Sequence, residues 1–168
     1  VVRRRPLKLL PGDPIWFDIE TDTFWSRIWL IGAYDQREHE LKQMFSENWS
    51  CECDIIREFD EWLRDRPNKP LYYYSCNGFD VRMIKKAAMR YGMLDHAIFT
   101  HPEMDLCHPI DKAYYIPIKD RKLKTIARFV GFDMSLEDRD DYMNGKECAI
   151  HYQRHVEYNI PIDKNVFE

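Results

Sequence analysis

The stretch WFDIET, residues 16–21, places two carboxylates inside an otherwise apolar run. Side chains of a β-strand alternate between its two faces, so Asp18 and Glu20 point the same way and the residues beside them point the other way. On a central strand two such charges repel each other and lose hydration. We therefore favour a divalent cation between Asp18 and Glu20 over the alternative, an exposed edge strand.

Length and composition predict a single globular domain. The chain has 168 residues, of which 45% are hydrophobic and 32% are charged, as in folded proteins of this size. Its formal net charge of -4 excludes a general basic surface for nucleic acid, so any such role needs local patches. No apolar run reaches the roughly 18 residues that span a bilayer. We predict a basic N-terminal arm over residues 1–14 and one domain over residues 15–168.

The cysteines indicate a reducing environment. The chain has five of them at irregular spacing, which does not resemble a secreted disulfide framework. Cys51 and Cys53 have no second pair at zinc-like spacing, so we interpret both as reduced thiols. The sequence thus predicts a cytoplasmic protein without a membrane partner.

Hydrophobic periodicity predicts three strands, a helix, a strand and further helices, in that order. The first three strands are close together and predict an antiparallel meander. Apolar residues at 55, 56, 59, 62 and 63 form the stripe of an amphipathic helix that Pro67 ends. The predicted strands are 15–21, 27–35, 39–45 and 71–76, and the predicted helices are 53–67, 79–92, 121–131 and the second half of 135–159.

A second acidic position follows the strand over residues 71–76. Asp80 comes just after the turn Asn77-Gly78, in the first turn of the next helix. An Asp there also interacts favourably with the helix dipole, which is the plain structural explanation. Together with Asp163 near the C-terminus, however, these carboxylates could converge on hard cations such as Mg²⁺ or Mn²⁺.

Four segments resemble one family of enzymes. FDIET and NGFD are similar to the first and second motifs of the ribonuclease-H-like superfamily of 3′–5′ exonucleases. DLCHPI followed by KLKTIARFVGF resembles the stretch between the second and third motifs in a predicted bacterial and archaeal ribonuclease-H-like subfamily. EYN followed by an Asp resembles the third motif of the tyrosine-type branch. The resemblance spans residues 15 to 163.

The resemblance implies a fold, a reaction and a site. The fold would be a mixed sheet, antiparallel in its first three strands and then parallel, flanked by helices. Two Mg²⁺ or Mn²⁺ ions would serve hydrolysis of phosphodiester bonds in single-stranded DNA or RNA. The implied metal ligands are Asp18, Glu20, Asp80 and Asp163, with Tyr158 as the residue that orients the attacking water. The expected nucleic-acid contacts are Thr21, Asn77, Trp25, Lys122 and Lys124.

One departure from the family pattern keeps alternatives open. Four residues separate Tyr158 from Asp163, one more than in the tyrosine branch, and Pro161 is among them. Since proline disrupts a helix interior, either the helix starts anew near Pro161 or the motif is distorted. The alternatives are a catalytically impaired nucleic-acid-binding or scaffold domain, and a structure-selective endonuclease.

Two further expectations follow. Asp105 and His108 lie in the matching segment, and we interpret both as structural. The missing initiator Met gives the expectation that the chain belongs to a longer protein of the nuclease or helicase type.

Overall fold

The computed structural model describes residues 1–24, 26–132 and 145–162. Four strands come first along the chain, and helices and strands then alternate as far as residue 129. The strands are β1 (Val2–Arg3), β2 (Ile15–Thr21), β3 (Ile28–Asp35), β4 (Glu40–Phe45), β5 (Leu71–Tyr73), β6 (Glu103–Asp105) and β7 (Tyr114–Tyr115). The helices are α1 (Glu52–Arg64), α2 (Phe79–Arg90), α3 (Cys107–Ala113), α4 (Leu123–Phe129) and α5 (Gly145–Tyr158).

The main sheet has the order β4-β3-β2-β5-β6, with β2 at its centre. β2 pairs antiparallel with β3 and β3 with β4, whereas β2–β5 and β5–β6 are parallel pairs. This arrangement confirms the predicted mixed sheet flanked by helices. It also confirms that the WFDIET stretch lies on a central strand and not at an edge.

The two faces of β2 differ as the alternation predicts. Ile15, Phe17 and Ile19 are buried in the main core, against α1 and α2. The predicted stripe of α1, residues 55, 56, 59, 62 and 63, is buried in the same core. Burial of these apolar side chains holds the helices to one face of the sheet. Asp18 and Glu20 consequently lie on the opposite face.

A buried ion pair network ties both helices to β3. Glu52, at the start of α1, is fully buried and accepts hydrogen bonds from Arg90 at 2.6 and 2.7 Å and from Arg27 at 3.0 Å. It also accepts from the hydroxyl of Tyr91 and from the amide of Ile28 at 2.8 Å. Every charge in this network has a partner, so it is structural.

The N-terminal arm makes specific contacts with the rest of the chain. β1 pairs antiparallel with β7, so Val2 lies opposite Tyr115. The guanidinium of Arg4 lies 5.2 Å from the ring centre of Tyr115, a cation–π contact. Further along, the amide of Leu10 donates to the hydroxyl of Tyr72 at 2.7 Å. These contacts arise from backbone pairing, which the arm's charge and proline content do not reveal.

Two short elements and a covalent bond follow α2 and were not predicted. β6 and α3 lie in a segment for which the sequence predicts no strand or helix. Cys76 and Cys107 form a disulfide across this region, while Cys51, Cys53 and Cys148 are free. Cys51 and Cys53 thus remain thiols, as predicted. Within the described part of the chain, no helix is both long and apolar enough to cross a membrane.

Candidate metal centre

β2 presents Asp18 and Glu20 on the face that the main core leaves open. Asp18 lies opposite Gly32 of β3, which has no side chain and has open space around its Cα. Asp18 also contributes to a largely apolar cavity of about 410 Å³ that includes Trp16 and Tyr74. Asp18 is exposed to solvent on this face, although neighbouring protein atoms reduce the hydration of its carboxylate.

The turn between β5 and α2 brings Asp80 to the same place. Gly78 ends the turn in the left-handed conformation, with φ +67°, which favours glycine. Asp80 follows in the first helical turn and is only 4% exposed. Its Oδ2 atom is buried and has no hydrogen-bond partner in the structure. A buried carboxylate oxygen without a partner is costly, so this atom points to a ligand.

The three carboxylates interact electrostatically with one another. Burial and the neighbouring Asp18 raise the pKa of Asp80 to about 6. Burial and the charge of Glu20 raise the pKa of Asp18, and burial and the charge of Asp80 raise that of Glu20. Each group destabilises the charged form of its neighbours, so the cluster attracts cations or protons.

Two positive features lie next to Glu20. The charge of Lys124, on α4, lowers the pKa of Glu20 against the effect of burial. Gly145, at the start of α5, lies so close that a Cβ there would be 3.3 Å from Oε2 of Glu20. The N-terminal part of α5, where a helix dipole is positive, therefore lies near this carboxylate. Lys124 and α5 together compensate part of the cluster's negative charge.

Asp105 shapes the turn that carries Asp80. Its carboxylate accepts hydrogen bonds from the amides of Ser75 at 3.2 Å, Gly78 at 3.0 Å and Cys107 at 3.1 Å. These backbone hydrogen bonds outweigh burial and lower the pKa of Asp105. Asp105 therefore has the structural role expected of it.

The donor atoms suit a hard cation, but the described set is incomplete. Carboxylate oxygens are what Mg²⁺ and Mn²⁺ prefer, and the partnerless Oδ2 of Asp80 is one such oxygen. Yet in residues 1–24, 26–132 and 145–162 no group of three or more His, Cys, Asp or Glu side chains is arranged to hold a metal ion. Asp163, the fourth predicted ligand, lies outside the described residues.

Tyr158 is not brought to the cluster. It ends α5 and is 71% exposed, whereas Gly145, beside Glu20, begins the same helix. The helical rise over the thirteen steps from Gly145 to Tyr158 is about 20 Å. Asn159 adopts a left-handed φ of +54°, so the helix ends before Pro161. The irregular spacing in the third motif thus coincides with a helix end.

The five predicted nucleic-acid contacts fall in different environments. Lys122 and Lys124 are exposed at the start of α4, and Asn77 is exposed in the turn before α2. Thr21 is only 9% exposed and points into the core side of β2. Trp25 lies outside the described residues. Of the four that the structure describes, the lysines and Asn77 have surfaces that a ligand could reach.

Some features of the site give little signal in the sequence. Gly145 approaches Glu20 from a distant segment, and its only local sign is the dipeptide Asn144-Gly145, which is typical of turns. The Cys76–Cys107 bond joins residues 31 positions apart, with nothing in their spacing to indicate a pair. Only the folded chain brings these groups to the acidic cluster.

A comparison with protein families agrees with this architecture. A family model described as the RNase_H superfamily matches residues 15–162. The chain therefore belongs to the ribonuclease H superfamily, which supports a nuclease-type hydrolase on this fold. A search of curated proteins finds no match.

Proposed function

We propose that this chain is a metal-dependent nuclease, specifically a 3′–5′ exonuclease acting on single-stranded DNA or RNA. The observation that carries the proposal is the buried Oδ2 of Asp80, which lacks a partner and lies beside Asp18 and Glu20 on a ribonuclease-H-like sheet. A purely structural carboxylate at this depth would have hydrogen-bond donors for both of its oxygens.

Asp18, Glu20 and Asp80 would hold the divalent ions, and Asp163 would complete the set. Bound Mg²⁺ or Mn²⁺ would supply a nucleophilic water of lowered pKa and would stabilise the leaving 3′ oxygen. The protein's contribution is to fix the carboxylates on two rigid elements, β2 and the first turn of α2. Tyr158 has no required part in this proposal, because it is exposed at the far end of α5.

Lys122 and Lys124 would bind the phosphates of the substrate. Both are exposed on α4, and the charge of Lys124 acts on Glu20, so a bound backbone would pass close to the carboxylates. Local lysines can bind a polyanion although the whole chain carries a net charge of -4. The cytoplasmic location stays a prediction.

The test is Mn²⁺-dependent digestion of single-stranded oligonucleotides labelled at either end. We expect a ladder that shortens from the 3′ end, and a rate at least ~100-fold lower in Asp18→Asn and Asp80→Asn. Asp54→Asn is the matched control, because Asp54 is exposed on α1, away from the cluster, and pairs with Arg57. Equal rates in all four proteins would contradict the proposal.

The direction of cleavage needs its own substrates. An exonuclease leaves an oligonucleotide with a blocked 3′ end intact, whereas cuts within it would instead indicate a structure-selective endonuclease. DNA and RNA versions of the same sequence would establish which of the two is hydrolysed.

A second candidate is a nucleic-acid-binding domain without catalysis. It is favoured by the exposure of Tyr158 and by the lack of a three-ligand group among the residues that the structure describes. Oligonucleotide binding that is insensitive to Asp80→Asn, with no cleavage in Mn²⁺, would support this candidate over the nuclease.

A further inference from the structure

The disulfide Cys76–Cys107 lies in the turn that delivers Asp80 to the acidic cluster. Cys76 is four positions before Asp80, between the end of β5 and the start of α2, and Cys107 begins α3. The bond therefore attaches this turn to a neighbouring helix. Cys76 is half-buried and Cys107 is buried, so Cys76 is the more exposed residue of the two.

Asp105 holds the two cysteines near each other independently of the bond. Its carboxylate binds the amides of Ser75 and Gly78, on either side of Cys76, and also the amide of Cys107. Reduction leaves these hydrogen bonds in place. The thiols would therefore remain within reach of each other, which makes re-formation of the disulfide easy.

The backbone of Cys76 has a reason to move once the bond is broken. Its φ is +61°, in the left-handed region that non-glycine residues rarely adopt. The disulfide adds a covalent restraint to a turn that the Asp105 hydrogen bonds also hold. Without the covalent restraint, Cys76 can visit a negative φ more often, and the turn between the amides of Ser75 and Gly78 becomes more mobile.

We propose that the Cys76–Cys107 pair is a redox-controlled clamp that fixes the turn before α2 when oxidised and loosens it when reduced. Disulfides that form in reducing compartments are usually transient and sensing, in keeping with the predicted cytoplasmic location. The proposed change in the turn does not depend on the proposed nuclease function. Its consequence for cation binding at Asp80 rests on the proposed nuclease function.

A small-molecule thiol such as glutathione supplies the electrons that reduce the protein disulfide. Its thiolate attacks the sulfur of Cys76, which breaks the protein disulfide and releases the thiolate of Cys107. A second glutathione attacks the glutathione sulfur of the mixed disulfide and releases Cys76. The protein disulfide gains two electrons and two protons as two thiols, and two glutathiones become one glutathione disulfide. Oxidation is the reverse reaction.

The first test is amide hydrogen exchange over residues 74–80, in the oxidised protein and in excess dithiothreitol, without metal. We expect exchange in this turn to become about tenfold faster on reduction, while that of β2 and β3 is unchanged. No change, or an equal change throughout the chain, would overturn the proposal. A bond that persists in millimolar reduced glutathione would also overturn it, since it would then be a permanent staple.

Variants separate the clamp from general destabilisation. In Cys107→Ser, the amides of residues 74–80 should exchange rapidly with and without dithiothreitol. In Cys51→Ser, they should respond to dithiothreitol as in the parent protein. Combining Cys107→Ser with Cys76→Asn should restore slow exchange, because Asn tolerates the left-handed conformation. Failure of this rescue would contradict the role of the Cys76 backbone.

A metal-binding experiment then tests whether the clamp affects the acidic cluster around Asp80. Mn²⁺ should raise the melting temperature of the oxidised protein more than that of the reduced protein. Equal shifts would contradict a link to Asp80. The absence of any shift in both forms would contradict the proposed function and leave the exchange result valid.

Discussion

Two buried carboxylates in this protein have opposite surroundings. Glu52 is fully buried and receives hydrogen bonds from Arg27, Arg90, Tyr91 and the amide of Ile28. Asp80 is 4% exposed, yet one of its oxygens has no partner and its nearest charged neighbours are carboxylates. The two side chains are thus buried to a similar extent. They differ in whether both of their oxygens have hydrogen-bond partners.

The difference teaches how to tell a structural carboxylate from a candidate ligand. Asp35 belongs with Glu52: burial alone would raise its pKa, but hydrogen bonds from Lys69 and backbone amides lower it. The pKa of Asp80 is raised instead. The hydrogen bonds around Asp35 stabilise its charged form, whereas the charged form of Asp80 has a carboxylate as its neighbour and one oxygen without a donor.

The largest expected effect comes from breaking the satisfied network. Glu52→Gln removes the charge that Arg27 and Arg90 share, so we expect the free energy of unfolding to fall by about 3 kcal/mol. Urea denaturation measures this loss. Glu61→Gln, at an exposed position on the same helix, is the control. If both variants were equally stable, Glu52 would not be a structural carboxylate.

The pH dependence of stability should expose the unsatisfied cluster. The raised pKa of Asp80, about 6 against 3.8 unfolded, means that the native state binds more protons between these values. Asp80 therefore lowers the free energy of unfolding as pH rises from 4 to 7, by about 2–3 kcal/mol in a chelator. Asp80→Asn should lose this contribution. Parallel pH profiles for the two proteins would contradict it.

Removing one charge from the cluster should stabilise the metal-free protein. Asp18→Asn ends the repulsion with Glu20 and Asp80, so we expect a gain of about 1 kcal/mol at pH 7 in a chelator. Asp54→Asn, which loses an exposed ion pair, should change stability by less than about 0.5 kcal/mol. Destabilisation by Asp18→Asn would place Asp18 with Glu52 as a structural group.

The smallest expected effect concerns Lys124. Lys124→Ala should raise the pKa of Glu20 further and reduce the salt dependence of oligonucleotide binding by about 0.7 in the log–log slope. Lys42→Ala is the matched control, because Lys42 lies on the edge strand β4 and pairs with Glu58 of α1. Equal slopes in the two variants would remove Lys124 from the binding surface.

The sequence predicts most of this fold because its central elements are strongly periodic. Alternation in β2 and the stripe of α1 give both the position and the buried face of these elements. β6 and α3 are short, and Pro109 interrupts the segment, so local preference is too weak to indicate them. The pairing of β1 with β7 depends on distant backbone groups that no local pattern encodes.

The candidate site was predictable in part. Spacing alone places Asp18 and Glu20 on one face, and the turn before α2 places Asp80 at a strand end. That Glu52 is satisfied and Asp80 is not depends on Arg27, Arg90 and Tyr91 arriving from other elements. The approach of Gly145 to Glu20 is likewise a tertiary contact.

Direct titration with Mn²⁺ tests the central claim, that Asp18, Glu20 and Asp80 form a cation site. Calorimetry at pH 7.5 without nucleic acid would compare the parent protein with Asp80→Asn, and with Glu61→Gln as control. We expect saturable binding to the parent and to Glu61→Gln, and an affinity at least ~10-fold weaker in Asp80→Asn. Identical isotherms for the parent and Asp80→Asn, or no binding to any of the three, would contradict the claim.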